Sequence, residues 1–117
     1  MFFIIKIFFL NYIYVQHTLN KLYKRKYSLY LSSNVKNSLI ADGCVIDGTV
    51  ENSIVFRGAR IAKGAVVKNC IVMQDSYISE GAQIENVIAD KLVVLRPNKR
   101  LAGASTYPVY IGKDIVI

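Results

Sequence analysis

A group of side chains in this sequence that could do chemistry is "FRGARIAKG", where the cations Arg57, Arg60 and Lys63 stand close together with Phe56 beside them. Guanidinium and ammonium groups at that density suit an anion such as a phosphate, to which they donate charge-assisted hydrogen bonds; the same residues also suit solvated corners of a fold. The carboxylates Asp42, Asp47, Asp75, Glu80 and Asp90 are scattered over turn-like segments and form no convergent pair for acid/base work. Cys44 and Cys70 lie in unlike contexts, with no CxxC and no Cys/His spacing, so neither a disulfide framework nor a zinc site is expected. The one histidine, His17, precedes the patterned part of the chain, and "GARIAKG" lacks the spacing of a phosphate-binding loop. No catalytic residue, cofactor or metal site is therefore expected. The candidate site reduces to Arg57, Arg60 and Lys63 as an effector or anion site.

Composition limits the remaining classes. A chain of 117 residues with 53% apolar and 20% charged side chains is expected to form one globular domain with a real core. Its net charge of +7 is lopsided: residues 1–31 carry five bases and no acid, whereas residues 32–117 carry ten bases against eight acids. After Tyr30 no basic stripe with interleaved aromatics appears, which argues against nucleic-acid binding. Two cysteines read as small reduced thiols packed in a cytosolic protein, and a cytoplasmic location is expected.

Residues 1–33 are expected to form a separate, low-information segment. "MFFIIKIFFLNYIYV" is apolar and "KLYKRK" is basic, but the charge follows the apolar run and no small-residue cleavage site is present, unlike a signal peptide. The run is also shorter than the ~20 apolar residues a spanning helix needs, and Lys6 interrupts it. Low-complexity sequence, or a helix lying over an exposed sheet edge, is favoured over a membrane anchor.

The elements that position the candidate site emerge from self-similarity. "VKNSLI" at Val35 recurs as "VENSIV" at Val50, "VKNCIV" at Val67 and "IENVIA" at Ile84, and a last row of the same length and weaker pattern begins at Leu101. Within each row runs a six-residue period, an aliphatic followed four positions later by a small or β-branched residue, which is the hexapeptide repeat of a β-helix. Three hexads make one triangular coil, and coils stack as parallel strands ~4.8 Å apart. An all-β parallel β-helix of about five coils over residues 34–117 is expected, preceded by a non-solenoid, helical segment.

Each column of the aligned rows then has a role. The first (Val35, Val50, Val67, Ile84) and the fifth (Leu39, Ile54, Ile71, Ile88) are expected to fill the interior. The second (Lys36, Glu51, Lys68, Glu85) alternates in sign on the surface, which disfavours a one-coil slip. The third is all Asn (Asn37, Asn52, Asn69, Asn86), suited to an amide ladder and to left-handed backbone at a corner. Gly48, Gly64, Gly81 and Asn98 are expected at a further corner, also at positive φ.

The run "NSLIADGC" followed by "VENSIVFRGARI" resembles the C-terminal β-helix domain of bacterial glucose-1-phosphate adenylyltransferase (ADP-glucose pyrophosphorylase), particularly its GlgD-type glycogen-biosynthesis subunit, over about residues 34–117 and including "YPVYIGKDIVI". The resemblance implies a left-handed coil, an exception to the right-handed crossover rule. It also implies a role in subunit assembly and in control by phosphorylated metabolites, beside a catalytic domain that joins ATP and glucose 1-phosphate. It assigns an effector contact to Arg60, preceding Ile61, with Arg57 next. This chain carries no counterpart of the catalytic domain, so it is expected to be a fragment inactive alone, working as a homo- or hetero-oligomer with a catalytic adenylyltransferase subunit. Two other readings are a hexapeptide acyltransferase, against which the absence of a coil histidine counts, and a membrane-tethered β-helix scaffold.

Overall fold

The computed structural model describes residues 12–15, 23–24, 27–29 and 33–117. Three strands, β1 (Tyr12–Val15), β2 (Tyr23–Lys24) and β3 (Tyr27–Leu29), precede the repeats. The first coil is β4 (Asn34–Lys36), β5 (Ser38–Ala41) and β6 (Val45–Ile46); the second is β7 (Thr49–Glu51), β8 (Ile54–Val55) and β9 (Arg60–Ile61). The third is β10 (Val66–Lys68), β11 (Ile71–Val72) and β12 (Tyr77–Ile78); the fourth is β13 (Gln83–Glu85), β14 (Val87–Ala89) and β15 (Val94–Leu95). A fifth begins with β16 (Arg100–Ala102) and β17 (Val109–Ile111), and its third side is a single parallel bridge from Val116 to Val94.

The strands sort into three parallel faces, β4-β7-β10-β13-β16, β5-β8-β11-β14-β17 and β6-β9-β12-β15. The fold is the expected all-β solenoid, with four complete coils and a partial fifth. The described residues contain no helix, and the helical segment expected ahead of the repeats falls largely outside the described residues. β1 pairs antiparallel with β5, and β3 pairs parallel with β6, so on two faces the first coil is not the end of its sheet. On the third face β4 ends the order. Pairing of short strands onto an open edge satisfies backbone groups that would otherwise template association. The expectations for the apolar run up to residue 11, for most of the basic run and for His17 lie outside the described residues.

The first repeat column is interior as expected, with Val35, Val50, Val67 and Ile84 at most 2% exposed. The fifth is not. Leu39 is buried, but Ile54, Ile71 and Ile88 are only half-buried and face outward, while their successors Ile40, Val55, Val72 and Ala89 are fully inside. The Asn column causes the difference. Asn37, Asn52, Asn69 and Asn86 all have φ between 47° and 54°, and this left-handed residue between two strands turns the chain and shifts the in/out phase by one. The fourth and sixth positions therefore point inward. Ser38, Ser53, Cys70 and Val87 fill the fourth position, where only a small side chain clears the corner.

These small polar residues tie coil to coil. Ser38 Oγ donates to the Lys36 carbonyl (2.8 Å) and accepts from the Ser53 amide (3.2 Å); Ser53 Oγ donates to the Glu51 carbonyl (2.7 Å) and accepts from the Cys70 amide (3.1 Å). Ser76 does the same between Asp90 and Val93. A buried hydroxyl thus meets both its donor and its acceptor needs. Among the described residues the expected amide ladder is reduced to one rung, Asn37 Nδ2 donating to Asn52 Oδ1 at 2.6 Å, while Asn86 Nδ2 donates instead to the Gly103 carbonyl at 3.0 Å.

Two corners depart from the regular pattern. Gly48 is not at positive φ; the first coil is two residues shorter there, and a Cβ on Gly48 would lie 2.5 Å from the Ala65 carbonyl oxygen and 2.7 Å from that of Ala62. Close approach, not backbone conformation, requires that glycine. The last row also differs, because Val87 pairs with Val109 and the segment between β16 and β17 bulges out, closed by an Ala104–Tyr107 bridge. At a third corner Gly43, Gly58, Asp75, Leu92 and Asp114 all have positive φ. Leu92, at φ 59° and 47% exposed, holds a conformation that costs an ordinary side chain about 1 kcal/mol or more and buries little in return. Leu92→Asn is expected to raise stability by about 1 kcal/mol, read as a higher urea midpoint at unchanged slope.

Candidate functional site

The three cations singled out from the sequence do not form one cluster. Arg57 occupies the corner between β8 and β9, immediately before Gly58. Arg60 is on β9 with its side chain exposed on the outer face, and Lys63 is at the next corner, before Gly64. A triangular coil sends consecutive corners in different directions, so residues close in sequence diverge in space. Residues one coil apart converge instead, and each cation acquires neighbours from the coils below.

Arg57 lies at a groove of about 270 Å³ lined by Gln74, Asp75, Lys91, Leu92 and Lys113. Arg57, Gln74, Lys91 and Lys113 occupy equivalent places on successive coils, each directly before the positive-φ residue of its corner. Lys91 and Lys113 are thus like charges on adjacent coils. Lys91 Nζ is 3.4 Å from Asp90 Oδ1, and Asp90 Oδ2 accepts a short hydrogen bond from Tyr110 Oη (2.5 Å). The Tyr110 hydroxyl, followed by the Lys91 amide, holds the Asp90 carboxyl below its usual pKa, and the same hydrogen bond raises that of Tyr110.

Arg60 and Lys63 line a second groove, of about 250 Å³, on the outer face of β9 and β12. Tyr77 sits one coil below Arg60 in direct register, and the guanidinium carbon stands 6.0 Å from the ring centroid, the outer limit for a cation–π contact. Asp47 and Glu80 complete the rim, and Ala62 is part of the lining between the larger side chains. Two carboxylates that are far apart in sequence are thereby brought to one lining.

Tyr77, Lys91 and Lys113 escaped the sequence reading. Adding the 17-residue row length to Arg57 twice reaches Lys91, which was a usable signal; Lys113 was hidden by the lengthened last row. Among the described residues no group of three His, Cys, Asp or Glu side chains could hold a metal ion, and no helix is long and apolar enough to cross a membrane. Cys44 and Cys70 are buried and unbridged. Burial pushes both thiols up to about 11, and they donate to the Phe56 (2.9 Å) and Lys68 (3.0 Å) carbonyls.

Comparison with known proteins places this geometry in context. The chain is 54% identical over 84 residues to the glycogen biosynthesis protein GlgD of Bacillus subtilis, a match covering 72% of this chain and 24% of that protein. It is 71% identical over 34 residues to GlgD of Geobacillus stearothermophilus, covering 29% of this chain and 10% of that protein. It is 57% identical over 35 residues to glucose-1-phosphate adenylyltransferase of the same organism, covering 30% and 9%. The chain thus spans at most about a quarter of these curated relatives. No solved structure matches. A model of GlmU-like C-terminal hexapeptide domains matches residues 27–105, beginning at β3, and the chain belongs to that family.

Proposed function

We propose that this chain is the assembly and regulatory β-helix domain of a glucose-1-phosphate adenylyltransferase-type protein of glycogen biosynthesis, inactive by itself and joined to a catalytic adenylyltransferase subunit. The observation that carries this reading is the 54% identity to a glycogen biosynthesis protein across 84 residues, nearly the whole solenoid. The chemistry of the described residues agrees with it. Both grooves offer charge and hydrogen bonds for recognition.

Control by a phosphorylated metabolite belongs to the same reading. Of the sequence candidates, Arg57 is the better centre for an anion, because Arg57, Lys91 and Lys113 set three cations against the single carboxylate Asp75 in its groove. Arg60 and Lys63 share their groove with Asp47 and Glu80, which offset their charge.

The reading is tested by mixing the chain with a catalytic glucose-1-phosphate adenylyltransferase and following sedimentation and ADP-glucose synthesis. Co-sedimentation is expected, together with an altered response to phosphorylated metabolites. The Arg57→Ala, Lys91→Ala, Lys113→Ala variant should lose that response while still co-sedimenting, and Arg60→Ala, Lys63→Ala should retain most of it. A chain that sediments apart and leaves activity unchanged would sink the proposal.

A further inference from the structure

The groove on β9 and β12 has a chemistry that anion control does not use. It combines an aromatic ring, Tyr77 at 39% exposed, with two carboxylates and two cations around the small side chain of Ala62. The formal charges cancel, so the groove does not suit a phosphate, and the two cations work against a divalent metal at Asp47 and Glu80. What it suits is a neutral ligand with an apolar face and many groups that both donate and accept hydrogen bonds.

We infer that this groove, lined by Asp47, Arg60, Ala62, Lys63, Tyr77 and Glu80, binds a hexose unit of a polysaccharide, and, on the glycogen reading above, a glucosyl unit of an α-glucan.

A pyranose ring presents a face of polarised C–H bonds, which is attracted to the negative face of an aromatic ring. The Arg60 guanidinium lies over the Tyr77 ring at the outer limit of a cation–π contact, 6.0 Å from its centroid, so a sugar stacking on that face displaces this exposed side chain to the sugar's edge, where it donates hydrogen bonds. Adjacent hydroxyls of the sugar donate to a carboxylate and accept from a cation, and Asp47, Glu80, Arg60 and Lys63 supply both kinds of partner. A volume of about 250 Å³, open to solvent, matches one sugar unit and lets the polymer continue on either side. The binding contributes no bond making or breaking. It would hold a regulatory domain beside the polymer whose precursor its partner makes.

Affinity electrophoresis of the 117-residue chain in native gels, with and without soluble glycogen, tests this directly, with maltoheptaose as the competing probe. The chain is expected to be retarded by glycogen and released by maltoheptaose. Tyr77→Ala, on the outer face, should weaken retardation at least tenfold with an unchanged circular dichroism spectrum, whereas Tyr77→Phe should stay within about twofold. Ala62→Leu, which fills the groove without touching Tyr77, should abolish retardation as well. Absence of retardation, or equal retardation of the parent, Tyr77→Ala and Ala62→Leu chains, would overturn the inference. A chain that joins the adenylyltransferase but ignores glycogen refutes the sugar site alone; one that binds glycogen through Tyr77 but joins no catalytic subunit refutes the subunit reading alone.

Discussion

Ile78→Ala is expected to cost this domain about 2–5 kcal/mol, while Ile71→Ala, seven residues earlier in the same coil, should cost only about 1 kcal/mol. Ile78 is fully buried and stands in register between Ile61 of the coil above and Leu95 of the coil below. Truncating it leaves a void in the middle of a ladder, where each coil contacts only its neighbours. The loss therefore falls on two coil interfaces at once. Ile71 pairs equally well with Ile54 and Ile88, but it faces outward and is already half in water. Urea denaturation of both variants measures the contrast. Equal or reversed costs would mean that the in/out assignment of the repeat is wrong.

That contrast also marks how far the solenoid was legible in the sequence. The repeat of Val35, Val50, Val67 and Ile84 was enough to place coils, faces and register, because a fixed period permits only one way of stacking equivalent residues. Position within the hexad was harder. Alternation holds along a strand, but one residue at positive φ resets it, and the identity of Asn37 does not say which neighbour then turns inward. Hydrophobicity alone predicts Ile71 inside, whereas small Cys70 and Val72 are the buried ones. Size at a crowded corner outweighed apolarity.

The candidate site was less legible for the same geometric reason. Arg57, Arg60 and Lys63 are neighbours in the chain, and a triangular coil parts them across two corners and a face. Real neighbours lie one or two rows away: Gln74 and then Lys91 with Arg57, Tyr77 with Arg60, Glu80 with Lys63. In a solenoid a surface site is therefore read down columns and not along the sequence. Shortened and lengthened rows, as at Gly48 and between β16 and β17, break the column count where grooves and bulges form.

Raising the pH from 9 to 11 is expected to remove about 2 kcal/mol of stability for each of Cys44 and Cys70. Both are at most 2% exposed and their thiols are raised to about 11, chiefly by burial, whereas the thiol of an unfolded chain ionises near 9.0. Between those values the unfolded chain has released protons that the folded chain still holds. Fewer protons bound in the unfolded state means that stability falls as pH rises, beginning at the unfolded pKa and ending at the folded one. Lysines and tyrosines titrate in the same window, so the measurement is a difference: urea midpoints of the parent and of the Cys44→Ala, Cys70→Ala variant, taken from pH 8 to 11. The variant should start less stable, having lost two well-packed side chains, and then decline more gently. Above pH 10 the gap between the two proteins should narrow by several kcal/mol. The same burial should keep both thiols unreactive toward iodoacetamide at pH 8 until the chain is unfolded, since neither solvent access nor thiolate is available to the reagent. Parallel pH profiles, or rapid alkylation of the folded chain, would show that the thiols are not held in the closed interior that the coil geometry requires.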